Sequence, residues 1–365
     1  MSEAFKVAEP HPEFRLNGLQ LGNEDLADVA YSFIKEGEPY EKSMGSFLLD
    51  WLNSKDHIVA KTSGSTGSPK DIEIKKQSMV NSAQATGKFF NLPEGISALH
   101  CLPADFIAGK MMMVRAMVLG WKIDLVCPRV QCLEEVHRQY DFSAITPFQL
   151  KASLPNLQLI RKIIVGGGTV SQNLRDLVRG MKSEIYETYG MTETVTHIAA
   201  RKLNGKDQED PMPFKVFPKV SISTDERDCL VIKAPAISED VIVTNDVVEI
   251  IRPKEFIWNG RYDNVINSGG IKIFPEQIEN KLQSIIPQRF FVGSLPDDEL
   301  GDKMVLLVEG KSTSEGLEAL EHEISELRLL GKYEVPKKIF FIEKFGETEN
   351  GKLNRKKTLE HIKAQ

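Results

Sequence analysis

The chain has 365 residues, a formal net charge of −6, 41% apolar residues and 27% charged residues. A length of this order predicts roughly two to three domains, and the composition is ordinary for a soluble globular protein. The acidic balance, without basic blocks, excludes a large nucleic-acid footprint. No stretch approaches the run of about 18 apolar residues that a membrane-spanning helix needs.

The N-terminus, MSEAFKVAEPHPEF, lacks the basic start and apolar core of a secretory signal. The four cysteines contain no C-x-x-C pair, and the seven histidines are scattered, whereas a zinc site needs several such ligands at short spacing. We therefore expect a cytoplasmic protein with buried, reduced cysteines. These are Cys101, Cys127, Cys132 and Cys229.

Short apolar runs alternate with helix-like segments between residues 56 and 190. The predicted strands are Ile58–Ala60, Ser97–Leu102, Lys122–Cys127, Phe142–Thr146 and Ile160–Val165. The predicted helices are Lys75–Phe90, Ile107–Leu119 and Ser171–Gly180, the last with a serine cap and a terminal glycine. This alternation predicts a mostly parallel α/β sheet.

The pattern changes near residue 210 and again after Arg261. Five close-spaced strands predict a small β-rich subdomain over about 210–262: Val220–Thr224, Cys229–Lys233, Asp240–Thr244, Val247–Ile251 and Phe256–Trp258. The segment after Arg261 is long enough for a compact α+β domain. Its predicted elements are the helices Pro275–Leu282 and Leu317–Leu330 and the strands Phe290–Gly293, Met304–Glu309 and Lys338–Glu343.

A loop rich in glycine and hydroxyl groups lies between the strand Ile58–Ala60 and the alternating run Asp71–Ile74. It reads TSGSTGSPK. Glycines let backbone N–H groups approach an anion and hydroxyls add donors, and a closing lysine adds positive charge. The order of residues is not that of a P-loop, and a linker would not lie between two strands. The predicted phosphate-binding residues are Thr62, Ser63, Gly64, Ser65, Thr66, Gly67 and Lys70.

This string resembles the ATP-phosphate loop of the acyl-adenylate-forming superfamily, which includes acyl- and aryl-CoA ligases, adenylation domains of peptide synthetases, and firefly luciferase. Further segments follow in the family's order. YETYGMTET at 186–194 resembles the family's Y-G-x-T-E element, and the triple glycine at 166–168 resembles its turn beneath the adenine. The resemblance implies that Glu193 ligates Mg²⁺, which prefers few carboxylates with phosphate oxygens and waters. Thr192 would contact phosphate and Tyr189 would lie beside the adenine. Further expected nucleotide contacts are Gly167, Gly168, Glu187, Thr188 and Gly190.

Two later segments extend the resemblance. VTND at 243–246 is similar to the family's T-G-D element, so Asp246 would accept hydrogen bonds from both ribose hydroxyls. Asn245 replaces the usual glycine, and asparagine tolerates the left-handed backbone of a turn. GRYDNVINSGG at 260–270 resembles the hinge motif. Arg261 would bind ribose or phosphate, Asp263 would be the hinge, and Gly269 and Gly270 would approach the thiol arm of coenzyme A.

The segment NGKLNRK at 350–356 resembles the family's element that carries the catalytic lysine, here Lys352. The resemblance implies two steps. A carboxylic acid attacks ATP to form acyl-AMP and pyrophosphate, and coenzyme A then takes the acyl group. Because acid and ATP are both anionic, catalysis would rest on positioning and charge neutralisation.

The implied architecture is a large N-terminal domain over 1–262 that binds ATP and acid, and a mobile C-terminal domain over 264–365. The C-terminal domain would rotate about Asp263 between the two steps and carry Lys352 away from the site. The chain is shorter than typical relatives before the phosphate loop. Residues 1–54 are therefore expected to form a shortened first subdomain.

Residues 100–120 resemble the family's acid-pocket segment. Arg115 lies inside a methionine-rich predicted helix, where arginine is rarely left unpaired. In one interpretation, Arg115 forms an internal salt bridge or extends its charged end to the surface. In the other, it binds a second carboxylate of the substrate. Its position, and the string TVTH at 194–197, resemble the o-succinylbenzoate–CoA ligases of menaquinone biosynthesis, whose substrate is an aromatic dicarboxylic acid. Thr196 would face the acid, and Phe106 and Lys110 would line the site.

Other functions stay open at this point. The chain could be a CoA ligase for benzoate or a fatty acid, although a fatty-acid pocket would not favour Arg115. It could load a carrier protein, or bind nucleotide without catalysis. The joint presence of Lys70, Glu193 and Lys352 argues against the last alternative. The expected partners are a small acid, ATP and coenzyme A, with neither nucleic acid nor stable membrane insertion, and a homodimer is left open.

Overall fold

The computed structural model describes residues 8–61, 71–205, 212–347 and 353–363. None of the helices in these ranges combines the length and apolarity needed to cross a bilayer. The helices are α1 (Asn23–Glu36), α2 (Pro39–Leu52), α3 (Lys76–Phe90), α4 (Ile107–Leu119), α5 (Pro147–Ala152), α6 (Gln172–Val178), α7 (Pro275–Leu282), α8 (Ser314–Glu326) and α9 (Arg355–Lys363).

The strands form a large sheet, a smaller sheet and a two-stranded ribbon. The strands that precede residue 205 are β1 (Arg15–Leu16), β2 (Leu19–Gln20), β3 (His57–Lys61), β4 (Asp71–Lys75), β5 (Ser97–His100), β6 (Lys122–Leu125), β7 (Tyr140–Ile145), β8 (Ile160–Val165), β9 (Glu184–Gly190) and β10 (His197–Lys202). Those that follow are β11 (Phe214–Val216), β12 (Ser221–Thr224), β13 (Cys229–Lys233), β14 (Ile242–Arg252), β15 (Glu255–Arg261), β16 (Ile266–Ser268), β17 (Ile271–Ile273), β18 (Phe290–Asp297), β19 (Gly301–Glu309) and β20 (Lys338–Ile342).

The large sheet has a parallel centre in the order β1-β6-β5-β7-β8-β9. Parallel neighbours require a crossover, and α4 connects β5 to β6, α5 connects β7 to β8 and α6 connects β8 to β9, as the alternating pattern predicted, whereas the connection from β6 to β7 is irregular. Beyond β9 the sheet continues antiparallel through β10 and β11 to β15, β14, β13 and β12. The mixed α/β fold class is confirmed.

The predicted β-rich strands form, but they are not a separate sheet. β11 pairs with β10 on one side and β15 on the other, so the later strands extend the large sheet. The two strands predicted on either side of Asn245 are one strand, β14, with a bulge between Val247 and Val248. Asn245 lies inside β14 and its backbone is not left-handed. The expected turn at this position was therefore wrong, because pairing with β13 and β15 keeps the chain extended.

The smaller sheet contains β17-β16-β19-β18, with β20 added beside β19. The large sheet ends at Arg261 and the smaller one begins at Ile266. Asp263 lies between them in a single 3₁₀ turn, Tyr262–Asn264. The predicted hinge is thus the chain connection between the two sheets, although rotation about it stays a prediction.

Helix α4 is buried and has the predicted bounds. It begins after Phe106, and Gly120 ends it with a left-handed φ of 72°. It packs against α3 where Gly87 allows close approach, since a Cβ there would lie 3.0 Å from Leu119. From α2, Phe47 belongs to the same core. The N-terminal segment thereby packs against the α/β core. Because α4 is buried, a polar side chain on this helix lies in the protein interior.

The four cysteines are free thiols in the structure. Cys101, Cys132 and Cys229 are buried, whereas Cys127 is partly exposed, which corrects the expectation that all four are buried. Cys127 follows β6 at its end, where the chain leaves the sheet.

Candidate active site

The carboxyl ends of β7, β8 and β9 bring the glycine turn against the Y-G-x-T-E segment. Gly166 N donates to Ile145 O at 3.1 Å, and a Cβ on Gly166 would lie 2.8 Å from Thr188 Oγ1. Gly167 has a φ of 80°, which favours glycine. Thr188 Oγ1 donates to Val165 O at 3.1 Å. In open α/β sheets ligands bind outside the carboxyl ends of strands, and the residues predicted to contact the adenine lie at this edge.

Asp246 is the centre of a second predicted group. Tyr189 Oη donates to Asp246 Oδ2 at 2.7 Å, and Trp258 Nε1 donates to Oδ1 at 3.1 Å. Arg261 Nη1 lies 3.7 Å from Oδ1, because Asp246 and Arg261 are cross-strand partners on β14 and β15. The pKa of the Tyr189 phenol is raised well above its usual value, mainly by burial and secondly by the negative charge of Asp246. The phenol therefore stays protonated as a donor, and the carboxylate keeps lone pairs for further donors.

The segment that carries Glu193 is a tight turn. Thr192–Thr194 form a 3₁₀ turn, and Thr194 Oγ1 accepts from Met191 N at 2.9 Å. Val195 then takes φ 63° and ψ −55°, a costly conformation for a β-branched residue and one that clusters at functional sites. Glu193 is exposed at this edge. One free carboxylate fits Mg²⁺ that is otherwise held by phosphate and water. Among the described residues no group of three acidic, histidine or cysteine side chains could hold a metal alone.

Glu187 lies beside the site but its carboxylate is already bonded. Its Oε2 accepts from Arg201 Nε at 2.9 Å and lies 3.4 Å from Arg175 Nη2, while Oε1 accepts from Val170 N at 3.0 Å. The side chain is 3% exposed. A nucleotide contact from this residue stays a prediction, and these bonds direct its carboxylate into the protein.

Gly190 is required by the strand beside it. A Cβ at this position would lie 2.3 Å from Thr196 O and 2.4 Å from the His197 Cα, so no other residue fits where β9 meets β10. This close approach places the residues after the Mg²⁺ motif directly against the predicted nucleotide edge.

Arg115 is the principal residue of the candidate acid site. It is 1% exposed, and its pKa is lowered to about 9 by burial, so the guanidinium is charged at neutral pH. Nε donates to Thr86 Oγ1 at 3.4 Å and Nη2 donates to Thr196 Oγ1 at 3.1 Å. Among the described residues no carboxylate lies within ion-pair distance of Arg115. The buried carboxylate of Glu187, for example, pairs with Arg175 and Arg201 instead. Within the described part of the chain Arg115 therefore has no internal salt bridge, and at 1% exposure its side chain does not snorkel to the surface.

Two buried histidines flank this cation. The pKa of His100 is lowered to about 4 by burial first and by the charge of Arg115, and the pKa of His197 is lowered well below its ordinary value by the same causes. Both imidazoles are therefore neutral at pH 7. The sequence prediction included Arg115 and Thr196 but missed Thr86, His100 and His197. Thr86 could have been recognised from the sequence as a hydroxyl residue on the predicted buried face of α3.

Lys110 and Phe106 lie near the start of α4. Lys110 Nζ donates to Ala104 O at 2.6 Å and lies 5.3 Å from the centre of the Phe47 ring. Burial lowers the Lys110 pKa. Phe106 is 54% exposed. Acid-binding roles for both stay predictions, and neither is joined to Arg115 by a contact of the kind that joins Thr196.

The hinge segment has its own contacts. Asp263 Oδ2 accepts from Arg261 Nη2 and from Asn245 Nδ2, each at 3.3 Å. Gly269 and Gly270 form the β16–β17 hairpin with φ of 57° and 81°, and both are exposed. Their contact with coenzyme A stays a prediction.

Two predicted parts of the site lie outside the described residues. These are the phosphate loop at 62–70 and Lys352. The loop is flanked by β3 and β4, which pair antiparallel from His57–Lys75 to Lys61–Asp71. The two ends of the loop are thereby adjacent, as the strand–loop–strand prediction requires.

Comparisons with known proteins agree with the motifs. The model of the family described as AMP-binding enzyme matches residues 57–222. The chain is similar to the solved acyl-CoA synthetase (AMP-forming)/AMP-acid ligase II-like protein from Dyadobacter fermentans, with 34% identity, coverage of 92% of this chain and 98% of that chain, and a TM-score of 0.60.

More distant relatives carry a more specific name. A 2-succinylbenzoate–CoA ligase from Listeria monocytogenes is 24% identical over 92% of this chain and 75% of that protein. The fold is shared with an O-succinylbenzoate coenzyme A synthetase from Bacillus subtilis, solved with ATP and magnesium ion, at 20% identity, 82% and 69% coverage and a TM-score of 0.69. The Dyadobacter match, together with the family model, shows that the chain belongs to the AMP-binding enzyme family.

Proposed function

We propose that this protein is an ATP-dependent, AMP-forming acid–CoA ligase whose acid carries a second carboxylate, with 2-succinylbenzoate as the leading candidate. The observation that carries the proposal is the buried Arg115 guanidinium, whose bonding partners in the described part of the chain are hydroxyls. The names of the curated relatives support the same substrate.

A buried cation without a carboxylate partner is costly. Desolvation of an ion in a protein costs several kcal/mol, and buried charges are normally paired. Thr86 and Thr196 offer lone pairs but no negative charge. A substrate carboxylate would supply that charge and form the charge-assisted hydrogen bonds for which arginine is suited. This geometry supports a dicarboxylic acid over a fatty acid.

In the proposed first step, the reacting carboxylate attacks the α-phosphorus of ATP and pyrophosphate leaves. The phosphate loop and Lys70 would hold the β- and γ-phosphates, Asp246 the ribose, and Tyr189 the adenine side. Glu193 would hold Mg²⁺, which neutralises phosphate charge when bound, and Thr192 would contact phosphate. Lys352 would stabilise the charge that develops in this step.

In the second step coenzyme A attacks the acyl carbon and AMP leaves. The C-terminal domain, 264–365, would turn about Asp263 so that Lys352 leaves and the Gly269–Gly270 hairpin approaches the acyl-AMP. A cytoplasmic location is part of the proposal and agrees with cysteines that form no disulfide. A homodimer stays a prediction.

The test is acid-dependent pyrophosphate release, measured with 2-succinylbenzoate, benzoate, a fatty acid and a second aromatic diacid, with and without coenzyme A. We expect release with the diacids and a CoA thioester only when coenzyme A is present. Release with benzoate or the fatty acid alone would assign another acid. Adenylate without thioester would favour a carrier protein as acceptor, and no release with any acid would favour a non-catalytic nucleotide-binding protein.

A further inference from the structure

The buried guanidinium of Arg115 belongs to a closed hydrogen-bonded ring of four side chains. Arg115 Nε donates to Thr86 Oγ1 (3.4 Å), which lies 3.0 Å from His197 Nε2. His197 Nδ1 lies 3.4 Å from Thr196 Oγ1, which accepts from Arg115 Nη2 at 3.1 Å. The ring joins α3, α4 and β10. We call these four residues the Arg115 ring.

The hydrogens of the ring can be assigned from its donors and acceptors. Thr86 Oγ1 donates its single hydrogen to Ser82 O at 2.9 Å. It must therefore accept from His197, which requires a hydrogen on Nε2 and leaves Nδ1 as an acceptor. The Thr196 hydroxyl then donates to Nδ1. This neutral tautomer satisfies every contact of the ring.

The surroundings of His197 favour this state. The imidazole is 6% exposed, and its ring centre lies 5.2 Å from that of Phe217 and 6.0 Å from that of Phe90. A second cation beside Arg115, in this apolar enclosure, would be repelled, and burial lowers the His197 pKa accordingly. The aromatic contacts also restrict rotation of the imidazole.

We propose that Thr86 and His197 are positioning residues that fix the Arg115 guanidinium and thereby determine specificity for a second substrate carboxylate. An arginine has five N–H donors. Two serve the ring, and the other three, on Nη1 and Nη2, have no hydrogen-bond partner among the described residues, so they are available to a carboxylate. The Thr196 hydroxyl hydrogen is used by His197. Thr196 therefore has no hydrogen left for the substrate carboxylate, and its role is refined to accepting from Arg115 Nη2 and so holding the guanidinium.

This inference rests on the proposed function, and its first test separates positioning from a merely structural role. Thr86→Val keeps the shape and removes the hydroxyl. We expect KM for 2-succinylbenzoate to rise about tenfold, the effect of roughly one charged hydrogen bond, with kcat and KM for ATP changed less than about twofold. Turnover of any monocarboxylate that the protein accepts should change equally little. Thr86→Ser should restore the diacid KM.

The matched control is Ser82→Ala. Ser82 lies one turn earlier on α3, is 1% exposed, and its hydroxyl has no hydrogen-bond partner among the described residues. Removal of this hydroxyl should leave the diacid KM unchanged. The proposal is overturned if Thr86→Val leaves the diacid KM unchanged, or if it raises KM for mono- and dicarboxylates alike.

A second test does not depend on activity. In protein labelled with ¹⁵N-histidine, the cross-peak pattern that is lost in His197→Gln identifies His197. We expect that pattern to show a neutral ring with the hydrogen on Nε2 at pH 7. A hydrogen on Nδ1, or a doubly protonated ring, would contradict the assigned ring. If the wild-type protein releases no pyrophosphate with any acid, the proposed function fails, while this measurement still decides whether the ring exists as assigned.

Discussion

Arg115 is a buried charge that would favour binding of the proposed substrate at the expense of stability. Its guanidinium is enclosed by hydroxyls and neutral histidines, and burial lowers its pKa to about 9. A neutral residue of similar volume would remove the desolvation cost. Functional sites commonly retain such destabilising groups.

For Arg115→Leu we predict that KM for 2-succinylbenzoate rises by one to two orders of magnitude, or about 1.5–3 kcal/mol for a charged hydrogen bond. The midpoint of urea unfolding should hold or rise, because the substitution removes a buried charge that has no carboxylate partner among the described residues. Steady-state kinetics and urea titration check the two parts. Arg179→Leu, at an exposed arginine that pairs with Asp176, is the control and should change neither. An unchanged KM would exclude the clamp.

The corner between β5 and α4 is an element whose geometry depends on one glycine. A Cβ on Gly109 would lie 2.1 Å from Pro103 O, and Gly109 O accepts from His100 Nε2 at 3.0 Å. The first turn of α4 therefore sits directly on the chain that leaves β5. This contact sets the direction of the helix that carries Arg115.

Gly109→Ala should lower the free energy of unfolding by about 1–3 kcal/mol, as overpacking of a core does, and should raise KM for the diacid because α4 shifts. Urea unfolding and kinetics measure the two effects. Gly180→Ala is the matched control, since a Cβ there meets nothing within 4 Å. Equal stability of the two variants would show that Pro103 moves aside at no cost.

For the molecule as a whole, the buried histidines link stability to pH. The pKa of His100 is lowered from 6.5 to about 4 by burial. Between these values the unfolded chain binds a proton that the folded chain does not, so stability falls as pH decreases. At pH 5 the loss from His100 is roughly 2 kcal/mol, and His197 adds a loss of the same sign.

We therefore predict a lower urea midpoint at pH 5 than at pH 7, and a smaller difference in His100→Gln. His322→Gln, at an exposed histidine of α8, should retain the full difference. Denaturant titration at the two pH values measures both variants. If His100→Gln and His322→Gln show the same pH dependence, protonation of His100 does not contribute.

The two-sheet architecture leads to a prediction about the two half-reactions. Lys352→Ala should abolish adenylation but spare thioester formation from pre-made acyl-AMP, because the proposed rotation removes Lys352 before coenzyme A reacts. Pyrophosphate release and thioester formation are measured separately. Lys356→Ala, which changes a neighbouring surface lysine, should retain both activities. Equal loss of both half-reactions in Lys352→Ala would exclude the assigned role.

Local patterns predicted much of this molecule. The bounds of α4, α7, β8 and β13 agree with the sequence prediction, because apolar periodicity, a starting proline or a terminal glycine act within a few residues. The family is confirmed for a similar reason, since its motifs are short strings in a set order. The continuous strand through Asn245 was missed because it is kept extended by pairing with β13 and β15, and strand pairing is not visible in the local sequence pattern.

The motifs alone indicate ATP, an acid and coenzyme A, because the chemistry of phosphate and ribose recognition is written in contiguous residues. The environment of Arg115 is different. Thr86 lies 29 residues before it and Thr196 lies 81 residues after it, and the absence of a nearby carboxylate in the described chain is visible only after α3, α4 and β10 have packed. Burial makes the charge of an ordinary arginine costly, and burial is a property of the folded molecule.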